Sequence, residues 1–142
     1  MKAPEGFPGD KPIAMAKSST TSLIATTSQL FWEEADQWRS LPWHEIARAF
    51  WSSESGEFVV EPMVGPRLLW TLVEAGQLPE AARERITSTI IATDTTMVPG
   101  VGSVQIIFRK VGDQIQAQTL PAVDRSLISA RIAQVSAELG IG

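Results

Sequence analysis

The chain has 142 residues, 44% apolar and 20% charged, with a net charge of −4 and no cysteine. That balance predicts one folded domain, soluble and cytoplasmic, and excludes disulfides, a thiolate nucleophile and cysteine-bearing zinc sites. The negative balance disfavours broad attraction to nucleic-acid phosphates, and no apolar run approaches the length of a membrane span, so no membrane partner is expected.

Residues 1–20, rich in Pro, Gly, Lys, Ser and Thr, read as a flexible leader ahead of a single domain over 21–142. Met15 opens "MAKSSTTS", itself a plausible start, so residues 1–14 read as an upstream extension.

Ser28 precedes "QLFWEEADQW", where Phe31, Ala35 and Trp38 recur at helical spacing and Glu33 and Glu34 suit the positive end of a helix, predicting a first helix over 29–39. Ser40 and Pro42 introduce a second, in which Trp43, Ile46, Ala47, Phe50 and Trp51 form the apolar stripe and His44, Glu45 and Arg48 the wet face. "EFVVEPMV" reads as a short strand. Pro66 then opens a third helix with Leu68, Leu69, Leu72 and Ala75 on one face and Gly76 as its cap, and Pro79 a fourth over 79–91 with Ala82, Ile86 and Ile90.

"TDTTMVPGVGS" reads as a loop, followed by a hairpin over 104–119 that turns at Gly112 and Asp113. In its second strand Ile115, Ala117 and Thr119 alternate with Gln114, Gln116 and Gln118, predicting one buried face and one amide-rich wet face. Asp124 caps a fifth helix striped by Ile128, Ile132, Val135 and Leu139 and stopped by Gly140. The expected fold is therefore α+β: five helices with a small antiparallel sheet of one short strand plus the C-terminal hairpin.

Catalytic patterns fail one by one. "HEIAR" carries Arg48 where a zinc protease needs its second histidine, and His44 is the only histidine in the chain. No serine lies in a G-x-S-x-G turn, and "PGVGSV" lacks the third glycine and the strand-to-helix context of a dinucleotide loop. Neither a cofactor, a metal nor an enzymatic activity is expected.

Two functions remain. The first is a protein-interaction or assembly module, oligomeric, bound to another protein or to itself. Five tryptophans without a tyrosine suit an interface, with Trp32 left partly exposed, and His44, Arg48, Gln114, Gln116 and Gln118 complete the expected surface. The second is a nucleic-acid-binding regulator. The element order from residue 42 onward, with "LLWTLVEAGQLPEAARERI" as its helix-turn-helix, resembles a winged helix. That resemblance implies Arg83 and Arg85 on a recognition helix over 79–91 and Arg109 and Lys110 by the wing, although Glu80 and Glu84 share the helix.

Overall fold

The computed structural model describes residues 11–140. Strands hold 53% of the chain and helices 22%, and among the described residues the α-helices are two, not five. The expected α+β domain is thereby overturned, and with it the winged-helix likeness. The chain divides into two compact units, one ending at Ser88 and the other starting at Thr89.

The first unit is an antiparallel meander of seven strands, β1 (Pro12–Ser18), β2 (Ser22–Thr26), β3 (Gln29–Glu34), β4 (Gln37–Pro42), β5 (Ile46–Trp51), β6 (Glu57–Pro62) and β7 (Leu68–Glu74), followed by helix α1 (Leu78–Thr89). The sheet order is β4-β3-β2-β1-β7-β6-β5. The two edge strands are consecutive in the chain, joined by a 3₁₀ turn at Trp43–Glu45, so the sheet curls back on itself. Residues 1–10 of the expected leader lie outside the described residues, but residues 12–18 form β1, hydrogen-bonded to β2 on one side and to β7 on the other.

The first two connections are made by hydroxyls instead of glycine. Ser18 Oγ accepts from the backbone N–H of Thr20 and Thr21, at 3.1 and 2.8 Å, and Thr26 Oγ1 accepts from Gln29 N–H at 3.1 Å. Such short side chains substitute for a backbone partner in tight turns. The β3–β4 connection is two residues, Ala35 and Asp36, with φ of +50° and +64°, the left-handed pair that a type I′ hairpin turn requires.

Alternation then decides what is inside. Leu23 and Ala25, Leu30 and Trp32, Phe58 and Val60, and Trp70 and Leu72 point into the curl, where Trp43 and Ile46 join them. The stripe Leu78, Ala82 and Ile86 of α1, one helical turn apart, packs into the same core. Trp43 is 2% exposed and donates its indole N–H to the Thr26 carbonyl at 2.9 Å. Gly76 leads into α1 at φ +54°, with the Met15 carbonyl only 3.1 Å from where a Cβ would stand. It closes the corner where β7 passes β1, not the end of a helix.

The second unit is a three-stranded sheet, order β10-β9-β8, from β8 (Ile90–Val98), β9 (Gly102–Val111) and β10 (Gln114–Leu120), with helix α2 (Ser129–Glu138) on one face. Pro99 and Gly100 make the β8–β9 turn, with Gly100 at φ +80° and Val101 N–H bonded to the Val98 carbonyl at 3.0 Å. Gly112 and Asp113 make the β9–β10 turn, with Gly112 at φ +60°. Ile106 and Phe108 meet Val135 and Ile132 of α2, while Val98 and Val104 meet Ile128. The expected loop over "TDTTMVPGVGS" is thus mostly strand.

Candidate functional site

The curled sheet presents on its outer side a short apolar row. Phe50 of β5, Val59 of β6 and Leu69 of β7 are direct cross-strand partners, and their side chains point away from the core. Val59 is buried between its neighbours, but Phe50 and Leu69 keep 41% and 48% of their surface in water. Strand alternation places them there: Phe58 and Val60 enter the core, so Val59 cannot.

A row of charge borders the apolar one. Arg48, two residues before Phe50, hydrogen-bonds Glu61 through Nε and again through Nη2 at 3.4 Å, and Arg67 Nη1 approaches Glu61 Oε2 at 3.9 Å. Those contacts hold the Glu61 carboxyl below its usual range, the Arg48 hydrogen bond first among the causes, and raise Arg48 above its own. The Arg48 guanidinium also lies over the Phe50 ring, 5.8 Å from its centroid. Two largely exposed arginines share one carboxylate, so this edge of the row is net positive. On the other side stands Glu57, opposite Thr71.

The expected interaction residues fall in both units, Trp32, His44 and Arg48 in the first and Gln114, Gln116 and Gln118 in the second. Trp32 is 7% exposed and lies in the core, its ring centroid 5.5 Å from that of Trp70, because an inward β3 position replaces the expected outer flank of a helix. His44 is half-buried in the 3₁₀ turn while Arg48 stands on β5, so the helical face they were to share does not exist. Gln114 and Gln116 are exposed on β10, and half-buried Gln118 accepts from Arg109 Nε at 2.8 Å.

The residues that the winged-helix likeness implies stand on two elements, α1 and β9. Arg83 is exposed and Arg85 half-buried on α1, where they line an open hollow with Glu80, Glu84, Thr87 and Ser88, and the two glutamates match their charge. Arg109 and Lys110 are neighbours on β9 and so point to opposite faces of the sheet. Lys110 is exposed, whereas Arg109 is fully buried, donates through Nη1 to Thr89 Oγ1 at 2.8 Å, and is pushed below its usual pKa by burial.

Among the described residues, no group of three or more His, Asp or Glu side chains could hold a metal ion, and no helix is long and apolar enough to cross a membrane. Sequence reasoning picks Arg48 but misses Phe50 and Leu69, which it assigns to buried helical stripes. The sequence carries no clear signal for them: "IARAFW" puts Phe50 on one strand face with Arg48, but it and "LLWTLV" fit a helical period as well. The chain matches no family model, no curated protein and no solved structure.

Proposed function

We propose that this protein is a non-enzymatic protein-interaction module whose docking surface is the outer face of β5, β6 and β7. One observation carries the reading: an apolar row, Phe50, Val59 and Leu69, is set beside two largely exposed arginines that share a single carboxylate. Aromatic side chains and arginine, here Phe50 with Arg48 and Arg67, are enriched in protein interfaces relative to the rest of the surface. The partner that fits offers apolar side chains flanked by a carboxylate. That carboxylate would pair with Arg67 or Arg48 at the rim while the anchors cover Leu69 and Phe50. A cysteine-free chain suits a reducing compartment, which supports a cytoplasmic setting.

The test is site-specific photo-crosslinking in cells, with a photoreactive phenylalanine analogue at position 69 and, as control, at Ala137, an exposed position on α2. A discrete adduct at position 69, absent at 137 and lost when Phe50→Glu and Arg67→Glu are added, is the expected result. Equal labelling at both positions, or an adduct indifferent to the two substitutions, would sink the reading.

A further inference from the structure

Strand β8 is an open edge of the three-stranded sheet. Its nine residues span about 30 Å and contain no proline, lysine or arginine, the residues that usually blunt such an edge. Its one charge, Asp94, is already held by Arg131 of α2, at 2.7 Å from Nε and 2.9 Å from Nη2. The other edges are guarded. On β10, Arg125 Nη2 donates to the Ala117 carbonyl at 2.8 Å. Strand β4 carries Arg39 and ends in Pro42, and β5 carries Arg48.

The order of residues along β8 is nearly symmetric about Asp94. Thr93 and Thr95 flank it, Ala92 and Thr96 follow, then Ile91 and Met97, then Ile90 and Val98. Ile91 and Met97 are 48% and 73% exposed. The side chains of Ile91, Thr93, Thr95 and Met97 form the exposed row of the strand, and those of Ala92 and Asp94 turn towards α2. The one irregularity, between Ile90 and Ala92, lies at the first residues and leaves the rest of the strand in regular register.

A two-fold contact uses the same surface on both partners, so each residue must meet its own mirror position. We infer that β8 pairs antiparallel with β8 of a second copy, with Asp94 on the two-fold axis, joining two three-stranded sheets into one of six strands. In this register Ile91 of each copy meets Met97 of the other, covering the exposed apolar pair, and Thr93 meets Thr95. The two Asp94 carboxylates meet on the axis already neutralised by their own Arg131, which offsets the repulsion of like charges placed opposite one another. The free backbone donors and acceptors of both edges are satisfied by the same step.

The chain has no cysteine, so introduced thiols report on register cleanly. Light scattering on the eluting wild-type protein should give twice the 15.4 kDa chain mass. Under mild oxidation the double variant Thr93→Cys, Thr95→Cys should yield about tenfold more covalent dimer than either single variant, because only paired positions bring the two Cα atoms within disulfide reach. Ile91→Lys with Met97→Lys should elute as a monomer with an unchanged circular dichroism spectrum, since both side chains are exposed. Phe50→Glu should leave the dimer intact, which separates this contact from the docking face on β5–β7. A wild-type monomer at every concentration, a dimer that survives the two lysines, or equal crosslinking by a single variant would each overturn the proposal.

Discussion

Arg131 grips Asp94 with two near-parallel hydrogen bonds, Nε to Oδ2 at 2.7 Å and Nη2 to Oδ1 at 2.9 Å, and so ties α2 to the middle of β8. The fork geometry of a guanidinium matches both carboxylate oxygens at once, fixing direction as well as distance. Arg131 also reaches Gln134 Oε1 at 3.3 Å, so its position on α2 is set from two sides.

This pair makes the second unit acid-sensitive. The Arg131 hydrogen bonds hold the Asp94 carboxyl below its ordinary range. A carboxyl depressed by folding stabilises the native state fully above its unfolded pKa, near ~4, and loses that contribution as pH falls through the lower folded value. Urea midpoints followed from neutral pH downward should therefore decline in acid. Asp94→Asn should start lower at neutral pH and decline less, and Arg131→Gln should behave the same way. Parallel curves for wild type and Asp94→Asn would remove Asp94 from the account.

How much of this was legible in the sequence depends on which signal each segment carries. The hairpin around Gly112, the helix with Ala82 and Ile86, and the stripe Ile128, Ile132 and Val135 are readable from the Gly-Asp turn and the helical spacing, although the same spacing in Ile46, Phe50 and Trp51 belongs to a strand. The segment 29–42 misleads, since Phe31, Ala35 and Trp38 fall at helical spacing and the turn between β3 and β4 uses Ala35 and Asp36 with no glycine to mark it. In "LLWTLVE" a helix pairs Leu68 with Leu72 and so does a strand. Only tertiary packing of Trp70 on the same side as both decides for the strand. Strand β8 hides behind its threonines and the following Pro-Gly, which read as loop although threonine is β-branched and favours strands. The candidate site suffers most, because exchanging a period of 3.6 for a period of 2 turns Phe50 and Leu69 from buried to exposed.

The turn at Ala35 and Asp36 should be improvable. Alanine in the left-handed region pays about 1–2 kcal/mol for the approach of its Cβ to the following carbonyl oxygen, and Ala35 sits at φ +50°. Ala35→Asn with Asp36→Gly installs the pair that type I′ turns favour. The expected outcome is a gain of about 1 kcal/mol, from relief of that contact at position 35, read as a higher denaturant midpoint with an unchanged slope. An unchanged or lower midpoint would mean that Ala35 is not strained.

Trp43 tests the core from the polar side. Its indole N–H reaches the Thr26 carbonyl, and both residues are almost wholly removed from water. Trp43→Phe keeps an aromatic ring there but withdraws the donor from a buried acceptor, a loss of about 1–3 kcal/mol. Trp38→Phe, at a half-exposed position on β4, should change stability by less than ~0.5 kcal/mol. Equal effects in chemical denaturation would show that ring volume, not the hydrogen bond, sets the value.

Strand β1 gives the sharpest test of the fold, because residues that resemble a leader occupy the middle of the sheet. The Lys11 carbonyl accepts from Thr27 N–H at 3.1 Å, Pro12 pairs with Thr26, Ala14 pairs with Ala25, and the Ala14 side chain packs against the core. A chain begun at Met15 keeps the pairing of Lys17 and Ser18 with β7 but loses the first half of the β1–β2 ladder. At about 1 kcal/mol for each backbone hydrogen bond lost, and a similar amount for the apolar surface of Ala14, the truncated protein should be about 2–4 kcal/mol less stable. Amide exchange should speed up first at Ala25, which loses its β1 partner, and at Thr27, which loses the Lys11 carbonyl, and last in β6 and α1. Full stability without residues 1–14 would mean that the pairing of Lys11, Pro12 and Ala14 with β2 and its flank contributes nothing to the fold.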